Sequence, residues 1–144
     1  MKKTIAALLL AAITLPAWAQ MSPVGIWQTI DDKTDKPKSL IRIIEGANGL
    51  SGKIEKLLRE GAPADARCIE CSDDRKGLPM VGLEIVRGGK KAEGKDLWEG
   101  GKILDPENGK EYRAGYTPVD GGKKLEVRGY LGPFWRTQTW HRVP

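Results

Sequence analysis

Turn-forming residues cut this chain into short pieces. Between residues 24 and 143 they recur as "DDKTDKPK", "GANG", "RGGKKAEGK", "DPENG", "DGG" and "GP". Gly, Asn and Asp accept positive φ and Pro fixes φ, so each cluster ends a regular element. Eight β-rich runs remain, at 24–30, 39–45, 50–57, 80–86, 96–104, 110–119, 123–131 and 134–143. Short strands at close spacing, with no helical pattern between them, predict an all-β domain. Most of the connections are short, so consecutive strands should pair antiparallel as a meander. Eight strands is also a size at which a sheet closes on itself and loses its exposed edges. The expected fold is therefore an antiparallel eight-stranded meander, closed or nearly closed as a barrel. A two-sheet sandwich is the competing architecture.

Alternation within the runs supports half-buried strands. Leu125, Val127 and Leu131 share one face, opposite Lys124, Glu126 and Arg128. Tyr112, Ala114 and Tyr116 share another, opposite Glu111, Arg113 and Thr117. Ile41 and Ile43 lie together, but Leu40 and Ile44 flank Arg42 on the other side, so that strand reads as covered on both faces. In the last run Arg136, Gln138, Trp140 and Arg142 alternate with Thr137, Thr139, His141 and Val143. Neither set is plainly apolar, and pattern alone does not say which one points inward.

The N-terminus places the protein in the cell. Lys2 and Lys3 precede the apolar run "TIAALLLAAITLP", and "AWA" ends at Ala19. This is the three-part pattern of a cleaved secretory signal peptide. The run is shorter than the roughly 20 residues a spanning helix needs. The expectation is a leader over residues 1–19 and one domain over 20–144, exported to the periplasm or beyond. Without Lys2 and Lys3, 22 Lys+Arg face 19 Asp+Glu, a net +3 with the signs interspersed. Nucleic-acid binding wants a denser basic stripe with aromatics, and it is not expected.

Cys68 and Cys71 in "RCIECSDD" are the only cysteines. They sit within the one long connection, 58–79, and loops of that length are usually functional or pinned. A C-x-x-C pair can be half a zinc site, a redox centre or a disulfide. A structural zinc needs four ligands, mostly Cys and His. Here the sole histidine, His141, is far away in sequence, and Asp73 and Asp74 would complete a poor site. A thioredoxin-type centre would open a helix in a βαβ setting, which the chain lacks. In an oxidising compartment the remaining reading is a Cys68–Cys71 disulfide that stiffens the loop, with no metal.

Other chemistry is sparse. "DPENGKEY" offers Asp105, Glu107 and Asn108 to calcium, but Asp, Pro and Asn-Gly in that order make a hairpin turn. No G-x-S-x-G, H-E-x-x-H or phosphate loop occurs, no pair of carboxylates stands out, and His141 reads as an ordinary strand residue. The chain is expected to be a non-enzyme without a cofactor.

Trp27 in "GIW" carries more information. In lipocalin-like barrels a G-x-W on the first strand closes the floor, and an Arg of the last strand packs over the ring. Gly25, Trp27 and either Arg136 or Arg142 fit that arrangement. "GIW", "KSLIRI", the C-x-x-C, "LPMVGLEI", "GGKILDPENGKEY", "LEVRGYLG" and "RTQTWHR" together resemble the small exported bacterial proteins called domain of unknown function 2147. The resemblance spans essentially the whole mature chain. It implies a lipocalin-like barrel and export, and it implies no activity or catalytic residue. His141 departs from the pattern, at a position where Thr is expected.

The expected function follows from architecture. An eight-stranded barrel is filled by side chains or holds one small ligand. With one Phe and few large apolar residues, this chain is short of filling material. A small, partly apolar or acidic ligand is therefore expected inside. Tyr112 and Tyr116 would form an aromatic wall, and Arg42, Arg128 and Arg136 are candidates for binding an acidic group. The alternative is a solid barrel that uses "YLGPFW" (130–135) against a protein partner of the cell envelope. A monomer is expected in either case.

Overall fold

The computed structural model describes residues 21–144, and the leader expected over residues 1–19 lies outside the described residues. Nine antiparallel strands run in chain order: β1 (Gly25–Ile30), β2 (Pro37–Gly46), β3 (Gly49–Leu57), β4 (Glu84–Arg87), β5 (Lys90–Lys91), β6 (Trp98–Asp105), β7 (Lys110–Val119), β8 (Lys124–Leu131) and β9 (Phe134–Arg142). A 3-10 turn, Asp120–Gly122, joins β7 to β8.

The sheet closes. First and last strands pair through Trp27 opposite Arg142 and Gln28 opposite His141. The second seam joins β4 to β6 through Val86 opposite Ile103 and Arg87 opposite Lys102. Eight strands therefore form a closed antiparallel barrel, as the spacing of the turns predicts, and the sandwich is ruled out. The ninth, β5, is a two-residue addition on the edge of β6, within a stretch that reads as loop in sequence.

Two runs behave differently from their pattern. The run at 80–86 becomes a strand only from Glu84. Its first residues turn back instead: the Met80 N–H donates to the Ala66 carbonyl, and the Leu83 N–H donates to Met80. In β2 the outer positions are not covered, because Arg42 and Ile44 are both exposed. Only Ser39, Ile41 and Ile43 of that strand are buried.

The barrel has unlike ends. At the floor, Trp27, Tyr116, Leu125, Ile41, Ile43 and Leu50 are at most 2% exposed and fill the cross-section. Toward the mouth, where the 31–36, 58–83, 106–109 and 132–133 connections gather, side chains thin out. Outside, Arg42, Lys53, Glu55, Lys102, Arg113 and Arg128 are exposed. Such a ring of charge rules out the apolar band of a membrane-spanning barrel. Among the described residues no helix is long and apolar enough to cross a membrane.

Candidate functional site: a cavity at the barrel mouth

The hollow half of the barrel holds an open cavity of about 730 Å³. Its lower wall is apolar, made by Ile54, Ile85, Leu104, Val127 and Trp140. Leu57, Ile103, Tyr112 and Phe134 continue it upward. Ile54, Val127, Ile103 and Tyr112 are inward positions of their strands, and short aliphatics there leave room that larger rings would fill. One polar feature interrupts the wall. The hydroxyls of Thr29 and Ser39, both buried, lie 2.7 Å apart.

The last strand shows which of its faces is inner. Phe134, Arg136, Gln138 and Trp140 all line the cavity, and His141 is exposed. Up this wall runs a polar ladder. The Trp140 Nε1–H donates to Gln138 Oε1 (3.3 Å), and Gln138 Nε2 donates to Asp32 Oδ2 (2.9 Å). Arg136 donates to the same Asp32 oxygen at 2.6 Å. Asp32 thus sits at the mouth as the chain's own carboxylate, on a guanidinium and an amide. Both members of that ion pair are exposed, 71% for Arg136 and 42% for Asp32. Exposed pairs contribute only about 0–1 kcal/mol, so this one is readily exchanged.

The other cations that line the cavity, Lys38 and Arg59, are paired. Lys38 meets Glu107 at 3.2 Å, and Arg59 bridges Asp31 (2.6 Å) and Glu107 (2.5 Å). The N–H of Lys33, with help from Thr34 and Arg59, holds the Asp31 carboxyl below its ordinary range. The rim is therefore nearly charge-balanced, over an apolar interior.

The long 58–83 connection forms one side of the mouth, and the cysteines pin it. Cys68 and Cys71 form a disulfide with a Cα–Cα distance of 5.4 Å, and both are buried. Cys68 Sγ packs 3.7 Å from the Pro106 carbonyl oxygen. The "DPENG" turn is thus more than a hairpin connector: it is the surface on which the disulfide loop rests. Gly109 makes this possible. Its φ is +72°, and a Cβ there would collide with the Glu70 carbonyl. Asp73 and Asp74, weighed above as metal ligands, are held by Arg75 and Arg87 instead. Among the described residues no cluster could hold a metal ion. Converting both cysteines to serine is expected to cost about 2 kcal/mol, the chain-entropy value for so short a ring. Denaturant unfolding checks the cost, and intact mass two protons below the reduced form checks the bond.

At the floor, the Arg142 guanidinium lies 4.2 Å from the centroid of the Trp27 ring. Trp27 is fully buried, and its Nε1–H donates to the Pro23 carbonyl at 2.7 Å. Arg142 donates to the carbonyls of Gly122, Val24 and Ser22, at 2.6, 2.7 and 2.7 Å. Gly25 sits beneath it with φ +142°, and a side chain there would strike the guanidinium. Between the two arginines that fit the sequence pattern, geometry selects Arg142, because Arg136 stands at the opposite end of the barrel.

The residues nominated for ligand binding divide. Arg136 and Tyr112 line the cavity. Arg42 points outward and pairs with Glu55 at 2.8 Å. Arg128 also points outward, since Leu125 and Val127 take the inner face, and it lies 5.6 Å from the Trp135 ring centroid. Neither can reach the cavity, so strand alternation excludes both from a ligand set. Tyr116 shares a face with Tyr112 but lies deep in the floor, fully buried, with no hydrogen-bond partner for its hydroxyl among the described residues. Burial pushes the pKa of that phenol well up. An unpaired buried hydroxyl is costly, so Tyr116→Phe should stabilise the protein by about 1 kcal/mol in denaturant unfolding.

Thr29, Ser39, Gln138 and Asp32 belong to the site but carry no signal in sequence. The first two are small polar residues of ordinary strands. The last two are brought together from positions 106 residues apart.

A closed eight-stranded barrel with a filled floor, an arginine stacked on the first-strand tryptophan and an open apolar mouth defines a lipocalin-like protein. The fold comparison agrees. The chain superposes with a TM-score of 0.71 on "Protein HP1028 from the human pathogen Helicobacter pylori belongs to the lipocalin family", at 20% identity over 84% of this chain and 82% of that one. Residues 25–142 match the family of uncharacterized proteins conserved in bacteria, DUF2147, and the chain belongs to it. A comparison with curated proteins finds no match.

Proposed function

We propose that this protein is an exported, non-enzymatic binder of one small molecule, apolar along most of its length and bearing an acidic end group. The observation that carries the reading is the cavity of about 730 Å³ with an apolar lower wall, within the range of 300–1,000 Å³ that ligand sites occupy. The apolar part of the ligand lies against Ile54, Ile85, Val127 and Trp140. Its carboxylate or similar group takes the place of Asp32 on Arg136 and Gln138, and Tyr112 covers one side. Export rests on the leader pattern of residues 1–19.

Titration with a fluorescent long-chain fatty acid tests this. Saturable binding with one site per chain is expected. Asp32→Asn should tighten it several-fold by removing the competing carboxylate, and Arg136→Gln should weaken it. Val127→Phe, which fills the lower cavity, should abolish binding while thermal unfolding stays cooperative. Binding unchanged in Val127→Phe would move the ligand out of the barrel and end this reading.

A further inference from the structure

The β8–β9 hairpin supplies part of the cavity wall and then runs on past it. Its tip, Leu131-Gly132-Pro133-Phe134-Trp135, projects beyond the mouth with Leu131, Phe134 and Trp135 exposed by 66%, 74% and 61%. Strand alternation puts Leu131 and Phe134 on the inner side and Tyr130 and Trp135 on the outer, so the tip is apolar on both faces. Large exposed apolar groups gathered at one point mark an interaction site.

The charges behind the tip indicate what it meets. Arg113 lies 5.5 Å from the Tyr130 ring centroid and Arg128 lies 5.6 Å from that of Trp135. Neither has a carboxylate within ion-pair distance among the described residues. From Val127 to the C-terminus the chain contains no Asp or Glu. A tip of Phe, Leu and Trp with arginines one layer back is the arrangement that seats in a lipid interface. Aromatic rings favour the headgroup level, and the long arginine stems reach anionic phosphates. The other exposed apolar side chains at this end, Ile69, Leu78 and Val81, are scattered along the 58–83 connection, where acidic Glu70, Asp73 and Asp74 mix with Arg67 and Lys76, and they carry no aromatic ring.

We propose that the β8–β9 tip docks the barrel, mouth down, on the surface of a bilayer containing anionic phospholipid. Leu131, Phe134 and Trp135 also line the cavity. Docking therefore presents the cavity to the hydrocarbon, and an acyl-chain ligand passes between them without crossing water. The docking itself does not depend on what the cavity binds.

Co-sedimentation of the full chain with vesicles tests the proposal, using phosphatidylcholine with phosphatidylglycerol against phosphatidylcholine alone. The chain should sediment with the anionic vesicles and much less with the neutral ones. Phe134→Ser with Trp135→Ser should weaken that association by at least about tenfold, given the apolar burial lost. Both side chains are exposed, so the fold should survive, and circular dichroism checks it. Any contribution of the leader is common to all variants and cancels in the comparison. Arg113→Gln with Arg128→Gln should remove the preference for phosphatidylglycerol. Equal sedimentation of the wild type and the tip variant would overturn the proposal. So would failure to bind either vesicle, an outcome that reassigns the tip to a protein partner. Fatty-acid titration in solution of the Arg113→Gln, Arg128→Gln variant, whose side chains stand on the outer face away from the cavity, should be unchanged, which separates failure of docking from failure of the binding function.

Discussion

Trp27→Ala is expected to cost about 3–5 kcal/mol, the range for a fully buried aromatic ring. In a small domain whose whole stability is roughly 5–15 kcal/mol, that leaves little. Three losses combine. The ring is the largest side chain of the filled floor, at 0% exposure. Its N–H to the Pro23 carbonyl fixes the segment that enters β1. Its face supports Arg142, whose guanidinium holds β9, the 120–122 turn and residues 22–24 together through three carbonyls. Stacking on the ring contributes about 0.5–2 kcal/mol by itself. Once the ring is gone, Arg142 stands over a void at the seam where the first and last strands meet. Urea unfolding should show the midpoint shift with a nearly unchanged slope. Trp27→Phe, which keeps a ring and loses the N–H, should cost less than half as much. A Trp27→Ala variant within about 1 kcal/mol of wild type would mean that the floor does not hold the seam.

The barrel was legible because its information is local. Turn residues set the strand limits, and run 110–119 coincides with β7. Alternation set the inner face wherever it was clean, as in β8. It failed on β9 for a physical reason: the inner face of that strand changes surroundings along its length. Trp140 is buried, Arg142 lies in the floor, and Gln138, Arg136 and Phe134 rise into an open mouth. No single hydrophobicity rule describes such a face. The floor was readable from "GIW", but the choice between Arg136 and Arg142 needed register, since both have the same parity.

The mouth was less legible, because its contacts join distant segments. Arg42 looked like a ligand group only while the facing of its strand was open, whereas Arg128 stood against the alternation of its own strand; Glu55 and Trp135 are their neighbours on the outside. The cysteine motif announced a disulfide, yet nothing in "DPENG" said that Gly109 would carry the disulfide loop. Arg75, in "SDDRKG", looks like one charge in a solvated run. It is instead 1% exposed.

That burial makes Arg75→Met the second large effect, expected at about 3 kcal/mol, the lower end for breaking a buried ion pair. The guanidinium donates to Asp73 through Nε and Nη2, to Glu111 at 2.7 Å and to the Glu84 carbonyl at 2.9 Å. It ties the disulfide loop to β7 and β4 at once. Met keeps most of the stem's packing, so the loss reports on the charge. It falls short of the upper range because Asp73 and Glu111 are 42% and 30% exposed and regain water. The damage should be local: faster hydrogen exchange and proteolysis within 58–83, while the floor stays protected. A pH signature accompanies it. The side-chain and backbone N–H groups of Arg75 lower the Asp73 carboxyl from 3.8 to about 2. A carboxylate whose pKa is lower in the folded state contributes stability that is complete above its unfolded pKa and lost as the carboxylate is protonated. The wild-type loop should therefore loosen as pH falls from about 4 toward 2. In Arg75→Met the backbone N–H of residue 75 remains, so the Asp73 pKa should move part of the way back toward 3.8 and that part of the acid dependence should shrink. Carbonyl-detected NMR of the Asp73 side chain reads the pKa directly. An Asp73 that still titrates near 2 without Arg75 would assign its stabilisation to other neighbours, and the loop would then be pinned by Arg87 and the disulfide alone.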